Sequence, residues 1–132
     1  MPNWGLVVTS LGFAIPSILA FKNHKHRLGY ACSTLTITST LFHSTRHPIC
    51  QVVDMSYVYC IASYYIGKSL WRLIKHKRPI DIYVHVGSLG CIYLYFSKCD
   101  NPYVSKEMQG RFHMLFHLAA QYLFSIHATD RF

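Results

Sequence analysis

Two of the nine histidines in this chain of 132 residues, His113 and His117, are spaced i, i+4, which puts both imidazoles on one face of a helix. Ser39 and His43 have the same spacing, and Asp54 follows His43 across a short turn containing Pro48. Three imidazoles with a carboxylate and a hydroxyl make the donor set of a catalytic zinc site. Zinc accepts neutral His nitrogens at about 2.0–2.1 Å, and three protein ligands leave the fourth position for water. The metal lowers that water's pKa toward ~7, and a nearby carboxylate can orient it and take its proton. His43, His113 and His117 are therefore the candidate metal ligands. Asp54 and Ser39 are the candidate catalytic residues, the hydroxyl serving to polarise a carbonyl or hold an oxyanion. Zinc suits this set better than magnesium or calcium, which prefer oxygen.

Each residue also has a plainer reading. One H-x-x-x-H spacing is weak evidence among nine histidines, and a second pair, His43 and His47, exists. His47 sits between Arg46 and Pro48 in the turn and reads as an interface residue. His85 and His127 read as packing or interface groups, and His24, His26 and His76 as surface groups in basic loops. Alone, Ser39 is a helix-packing hydroxyl, and Asp54 is a helix N-terminal charge favoured by the dipole. The functional reading draws its weight from the coincidence of all five in one layer. His113 is followed by Met114 rather than Glu, so the H-E-x-x-H helix of zinc proteases is absent.

The elements that must position these residues are long and apolar. The chain is 52% hydrophobic, 15% aromatic and only 14% charged, about half the charged share of a soluble domain. Its runs free of Lys, Arg, Asp and Glu, with Asp54 and Asp81 admitted as single acids, allow five segments near the ~20 residues that cross a bilayer. They lie at about 4–21, 28–46, 49–67, 79–97 and 111–128. The expected fold is all-α, a polytopic transmembrane helix bundle with about five helices, forming one domain over 1–132. The competing reading is a soluble all-helical protein with buried core helices. Against it, the runs lack the wide polar stripe of a surface helix, and Gly87, Ser88 and Gly90 suit close helix packing in lipid. Pro16 is expected to bend the first helix. Met1–Phe21 lacks a basic leading region, and its positive cluster follows it, so it is expected to stay as a first helix rather than be removed as a signal peptide.

The charge balance then sets orientation. Lys+Arg number 13 against 5 Asp+Glu, a formal net charge of +8. Lys22, Lys25, Arg27, Lys68, Arg72, Lys75, Lys77, Arg78 and Arg131 fall on one side of the five crossings. Arg46, Lys98, Lys106 and Arg111 fall on the other. The positive-inside rule puts the first and third loops and the C-terminus in the cytosol, and the N-terminus outside or in a lumen. Ser39, His43, Asp54, His113 and His117 then share the outer leaflet. Because the cations lie between apolar runs, no nucleic-acid partner is expected. The stretch GKSLWRLIKHKR could make an interfacial helix, but a positive-inside loop explains it with fewer assumptions. The five cysteines form no C-x-x-C pair and read as small packing residues. Cys50 and Cys99 fall on the outer side, where an oxidising compartment would permit a disulfide.

The order S-x-x-x-H, D, H-x-x-x-H, here Ser39-Thr40-Leu41-Phe42-His43, Asp54 and His113-Met114-Leu115-Phe116-His117, resembles the CREST superfamily of membrane hydrolases. The step from His43 to Asp54, with Gln51 between, is most similar to the alkaline ceramidases. The wording STLFHSTRHP and HMLFHL also resembles the adiponectin receptor and haemolysin III branch. The resemblance implies zinc bound by His43, His113 and His117, with Asp54 holding the zinc water and Ser39 beside it. It also implies hydrolysis of a membrane lipid amide such as ceramide to a sphingoid base and a fatty acid, in the endoplasmic reticulum or Golgi. Family members have seven helices where this chain offers five. Loss of an even number keeps His113 and His117 on the leaflet of His43, so the site geometry can survive in a shortened form. Met1 to Phe21 contains no acid, so the calcium-binding stretch of alkaline ceramidases is missing.

Two function classes follow. The first is a zinc-dependent intramembrane hydrolase of lipid amides, ceramidase-like. The alternative is a non-catalytic membrane receptor or assembly factor of the same superfamily that keeps zinc as a structural staple. Either is compatible with an oligomer.

Overall fold

Helix boundaries follow local chemistry. A computed structural model describes residues 2–130, and every regular element among them is helical. The elements are α1 Trp4–Leu11, α2 Ala14–Lys22, α3 His26–Thr45, α4 Pro48–His76, α5 Pro79–Leu94 continuing as a π-helix Tyr95–Cys99, and α6 Lys106–Thr129. Asn3, His47 and Ser105 cap α1, α4 and α6, accepting from the backbone N–H of Leu6, Ile49 and Met108, which satisfies donors the helix cannot. Pro48 and Pro79 stand in first turns, where a missing N–H costs nothing. Arg46 and Lys77 end α3 and α4 with φ of 54° and 51°, each returning its N–H to a carbonyl four residues back, Phe42 and Leu73.

The expected bend in the first helix is a break, and it falls before Pro16. Proline has no N–H for the carbonyl four residues earlier, and its ring crowds that carbonyl. That carbonyl belongs to Gly12, and Ile15 N takes it instead at 3.1 Å. Gly12 and Phe13 bond Thr9 O and Ser10 O in the same tightened way, at 3.2 and 3.1 Å.

Joining α1 with α2, and α5 with its π-helical end, gives five rods, as expected. Their bounds differ in two places. α4 runs past 67 to His76, so most of the stretch expected as a basic loop at 68–78 is helix, and α6 starts at Lys106 rather than 111. Lys and Arg are good helix formers, so a cation lowers hydropathy without ending a helix. Two rods, Trp4–Lys22 and Pro79–Cys99, are long and apolar enough to cross a membrane. The other three are long enough, but their hydroxyl, imidazole and basic side chains keep them below that measure.

The rods pack in a ring. α1 and α2 pack on α3, α3 on α4, α4 on α5, α5 on α6, and α6 returns onto α1 and α2. Short connectors make successive rods antiparallel. α2 comes close to α3 at Gly29, where a Cβ would lie 2.8 Å from the Phe21 ring, so only glycine fits without a shift. Phe13, Leu28, Cys32, Leu35, Ile61 and Tyr65 belong to the apolar core. The rods line a partly open cavity of about 530 Å³.

At the end of the ring where α4 stops, four charges among the described residues pair with one another. Arg72 bonds Asp81 at 3.0 Å and also Asp130, while Arg78 bonds Asp81 at 2.7 Å and Asp130 at 3.1 Å. Lys25 Nζ donates to His127 O at 2.6 Å and to Asp130 O, tying the α2–α3 connector to the end of α6. Arg72 and Asp81 are buried, which corrects the reading of Arg72 as a cation of a basic loop. Met1 and Arg131, the latter counted with the cytosolic cations, lie outside the described residues. All five cysteines are free thiols, Cys50 and Cys99 included. Cys32 is buried as a packing residue should be, while Cys60 is exposed.

Candidate metal centre

The last turns of α3 turn Ser39 and His43 inward, and each is 2% exposed. α4 leaves the turn at Pro48 and brings Asp54 beside them, 5% exposed. α6 starts at the same end of the ring and supplies His113 and His117. All five expected site residues therefore line one cavity.

The carboxylate is fixed from α3. Thr38 Oγ1 and Ser39 Oγ both donate to Asp54 Oδ1, at 2.7 and 2.8 Å. Oδ2 makes no hydrogen bond among the described residues. Asp54 lies in the second turn of α4, beyond the reach of the helix dipole, so the plainer reading does not account for its burial. The Ser39 proton goes to Asp54 rather than toward the centre of the cavity.

The imidazoles form a triangle. Ring centroids are 5.1 Å apart for His43 and His113, 5.4 Å for His43 and His117, and 4.7 Å for His113 and His117. One ligand nitrogen from each lies within 4.8 Å of the others. Both ring nitrogens of His43 are buried without a hydrogen-bond partner. An unsatisfied buried polar atom costs about 1–3 kcal/mol, and polar groups in native interiors are nearly always paired. A metal ion among the three rings would take up one of the two His43 nitrogens, so the residues fit one. Three imidazoles suit several divalent transition metals.

Other groups fall where their chemistry puts them. His47 caps α4 and is exposed, away from the triangle. His85 Nδ1 lies 2.9 Å from Ser69 Oγ. His127 is buried at the far end of the cavity. Arg46, Gln51, Asp100 and Gln109 add polar groups to its lining. Tyr95, in the π-helix, places its ring 6.0 Å from that of His113.

Sequence reasoning missed two residues here. Thr38 adjoins Ser39, so no single helical periodicity selects both. Thr9 Oγ1 reaches His117 Nδ1 at 3.0 Å from another helix, and nothing in its local sequence marks it. No family model, curated protein or solved structure matches the chain.

Proposed function

We propose that this chain is a multi-pass membrane hydrolase of the CREST type, one domain that uses zinc to cleave a lipid amide such as ceramide. The observation that carries this reading is the buried triangle of His43, His113 and His117, with His43 unsatisfied, set beside Asp54 in a cavity of about 530 Å³. That size lies within the ~300–1,000 Å³ of small-molecule sites.

A membrane setting is supported by an inverted distribution of polarity. Ser39, His43, Asp54, His117 and Gln121 are buried, while Ile37, Leu41, Val52, Leu115 and Leu118 on the same three helices are exposed. Such exposed apolar faces suit lipid contact, and polar groups inside a bundle mark a site. With all five rods crossing, the basic residues of the α2–α3 connector and the end of α4 face the cytosol, and the metal centre lies in the opposite leaflet.

When bound, zinc polarises the amide carbonyl and makes a water acidic enough to react near pH 7. Asp54 keeps Oδ2 free to take and return a proton, while Thr38 and Ser39 hold Oδ1 so that Oδ2 stays aimed. Leu35, Val58, Ile61, Ala120 and Phe124 make an apolar wall for an acyl chain and exclude water.

Metal analysis of detergent-purified protein, run beside mass-spectrometric detection of fatty acid released from ceramides and other lipid amides, tests this directly. Near-stoichiometric zinc with product is expected. Absence of zinc in protein prepared with zinc supplied would sink the reading, and zinc without product would favour the receptor or assembly-factor class.

A further inference from the structure

The His117 ring is held from α1. Its Nδ1 lies 3.0 Å from Thr9 Oγ1, and the same oxygen lies 3.0 Å from Gly5 O and 3.2 Å from Leu6 O. A hydroxyl has one proton to donate, and a carbonyl can only accept. When that proton goes to the backbone carbonyls of α1, Thr9 Oγ1 turns a lone pair to His117, and the imidazole must donate. Nδ1 then carries the hydrogen, and Nε2 is left bare.

α1 is fixed in place for this contact. Thr9 O accepts from Gln121 Nε2, one turn beyond His117 on α6. The helices come close at Gly5, where a Cβ would lie 2.6 Å from the Met114 sulfur, and at Gly12, where it would meet Gln121. Phe13 closes the other side, its ring 5.5 Å from His117 edge to face.

We propose that Thr9 is a positioning residue for the metal centre: it selects the Nδ1–H tautomer of His117 and so presents Nε2 to the ion. This rests on the metal reading of the three imidazoles, but not on hydrolysis. A hydrogen bond to the outer nitrogen of a metal-bound histidine fixes ring orientation and basicity, and its loss typically costs 10–100-fold in metal affinity. Here the partner is a hydroxyl on a helix that contributes no ligand, so α1 is needed for the centre.

The test is a zinc and cobalt(II) titration of the detergent-solubilised full chain, comparing the wild type with Thr9→Val and Thr9→Ser. Thr9→Val keeps the branched shape and removes the hydroxyl. It is expected to weaken metal binding about 10–100-fold. Thr9→Ser keeps the hydroxyl, and is expected to bind within about threefold of wild type with the same cobalt(II) visible spectrum. Two-bond proton–nitrogen correlation of histidine-labelled apo wild type is expected to show hydrogen on Nδ1 of His117, and this holds even where Thr9→Val fails to fold. Wild-type affinity in Thr9→Val, equal losses in the two variants, or hydrogen on Nε2 would each overturn the proposal. A wild type that binds no metal would instead strike the metal reading beneath it, visible in the wild-type arm alone.

Discussion

Arg72 in α4 and Asp81 in α5 form an ion pair 3.0 Å long, with side chains 6% and 1% exposed. Asp130 at the end of α6 and Arg78 at the head of α5 join them, so three rods are tied together at the end away from the candidate metal centre. Asp81→Ala removes one of the carboxylates that Arg72 and Arg78 share, and Asp130 still pairs with both, so the loss stays below the ~3–5 kcal/mol of a fully stranded buried charge. Asp81→Ala is therefore expected to destabilise the protein by about 1.5–3 kcal/mol, the worth of hydrogen bonds to a charged group, in thermal or detergent unfolding. An effect below ~1 kcal/mol would mean that Arg72 is rehydrated in solution.

Asp130 sets an acid limit on the same end. Burial raises its carboxyl, but hydrogen bonds from Arg78 and Arg72, with their charges, outweigh burial and hold it below the ordinary carboxylate value. A group whose folded pKa is depressed contributes stability that is complete above its unfolded value, ~3.9, and is lost as pH falls through the folded one. The unfolding midpoint should therefore drop on acidification below about pH 4. Asp130→Asn should weaken that dependence and lower stability at neutral pH by about 1–2 kcal/mol. An unchanged acid limb in the variant would assign it to other carboxylates.

How far these features were readable from sequence depended on their period. His43, Asp54, His113 and His117 stood out because i, i+4 spacing and alternating helix direction together force them to one end. Arg72 was misread because hydropathy treats a cation as a loop marker whatever its partner, and its partners Asp81 and Asp130 lie on other helices. The site of the break before Pro16 was missed although the i−4 carbonyl rule identifies Gly12. Thr9 and Thr38 carry no signal at all, since a contact between helices leaves no trace in the spacing of either one.

Asp54 separates a hydrolase from a structural site. Asp54→Asn keeps the shape and the two hydrogen bonds from α3 while removing the proton acceptor. Turnover is expected to fall about 10²–10⁴-fold, with zinc content unchanged by metal analysis. Thr38→Val and Ser39→Ala each leave one donor on Oδ1. Each should cost less than the double variant predicts from independent losses, because either hydroxyl alone still restrains the carboxylate. Full turnover in Asp54→Asn would remove it from the chemistry.

Metal should also report on the fold. The candidate ligands come from α3 and α6, which close onto the same rod, α1 and α2, from opposite sides, so an ion at the centre binds only the assembled ring. Such a ligand adds about 2.7 kcal/mol at a hundredfold excess over its Kd. Chelator-stripped protein is therefore expected to unfold at a lower temperature, and added zinc to restore the midpoint. His117→Ala should unfold at one temperature with or without zinc, since two imidazoles leave the triangle open. A zinc-dependent shift of equal size in His117→Ala would place the stabilising ion elsewhere on the chain. The surface histidines His24, His26 and His76 offer the control: replacing all three with Gln should leave the zinc-dependent shift as it is in the wild type.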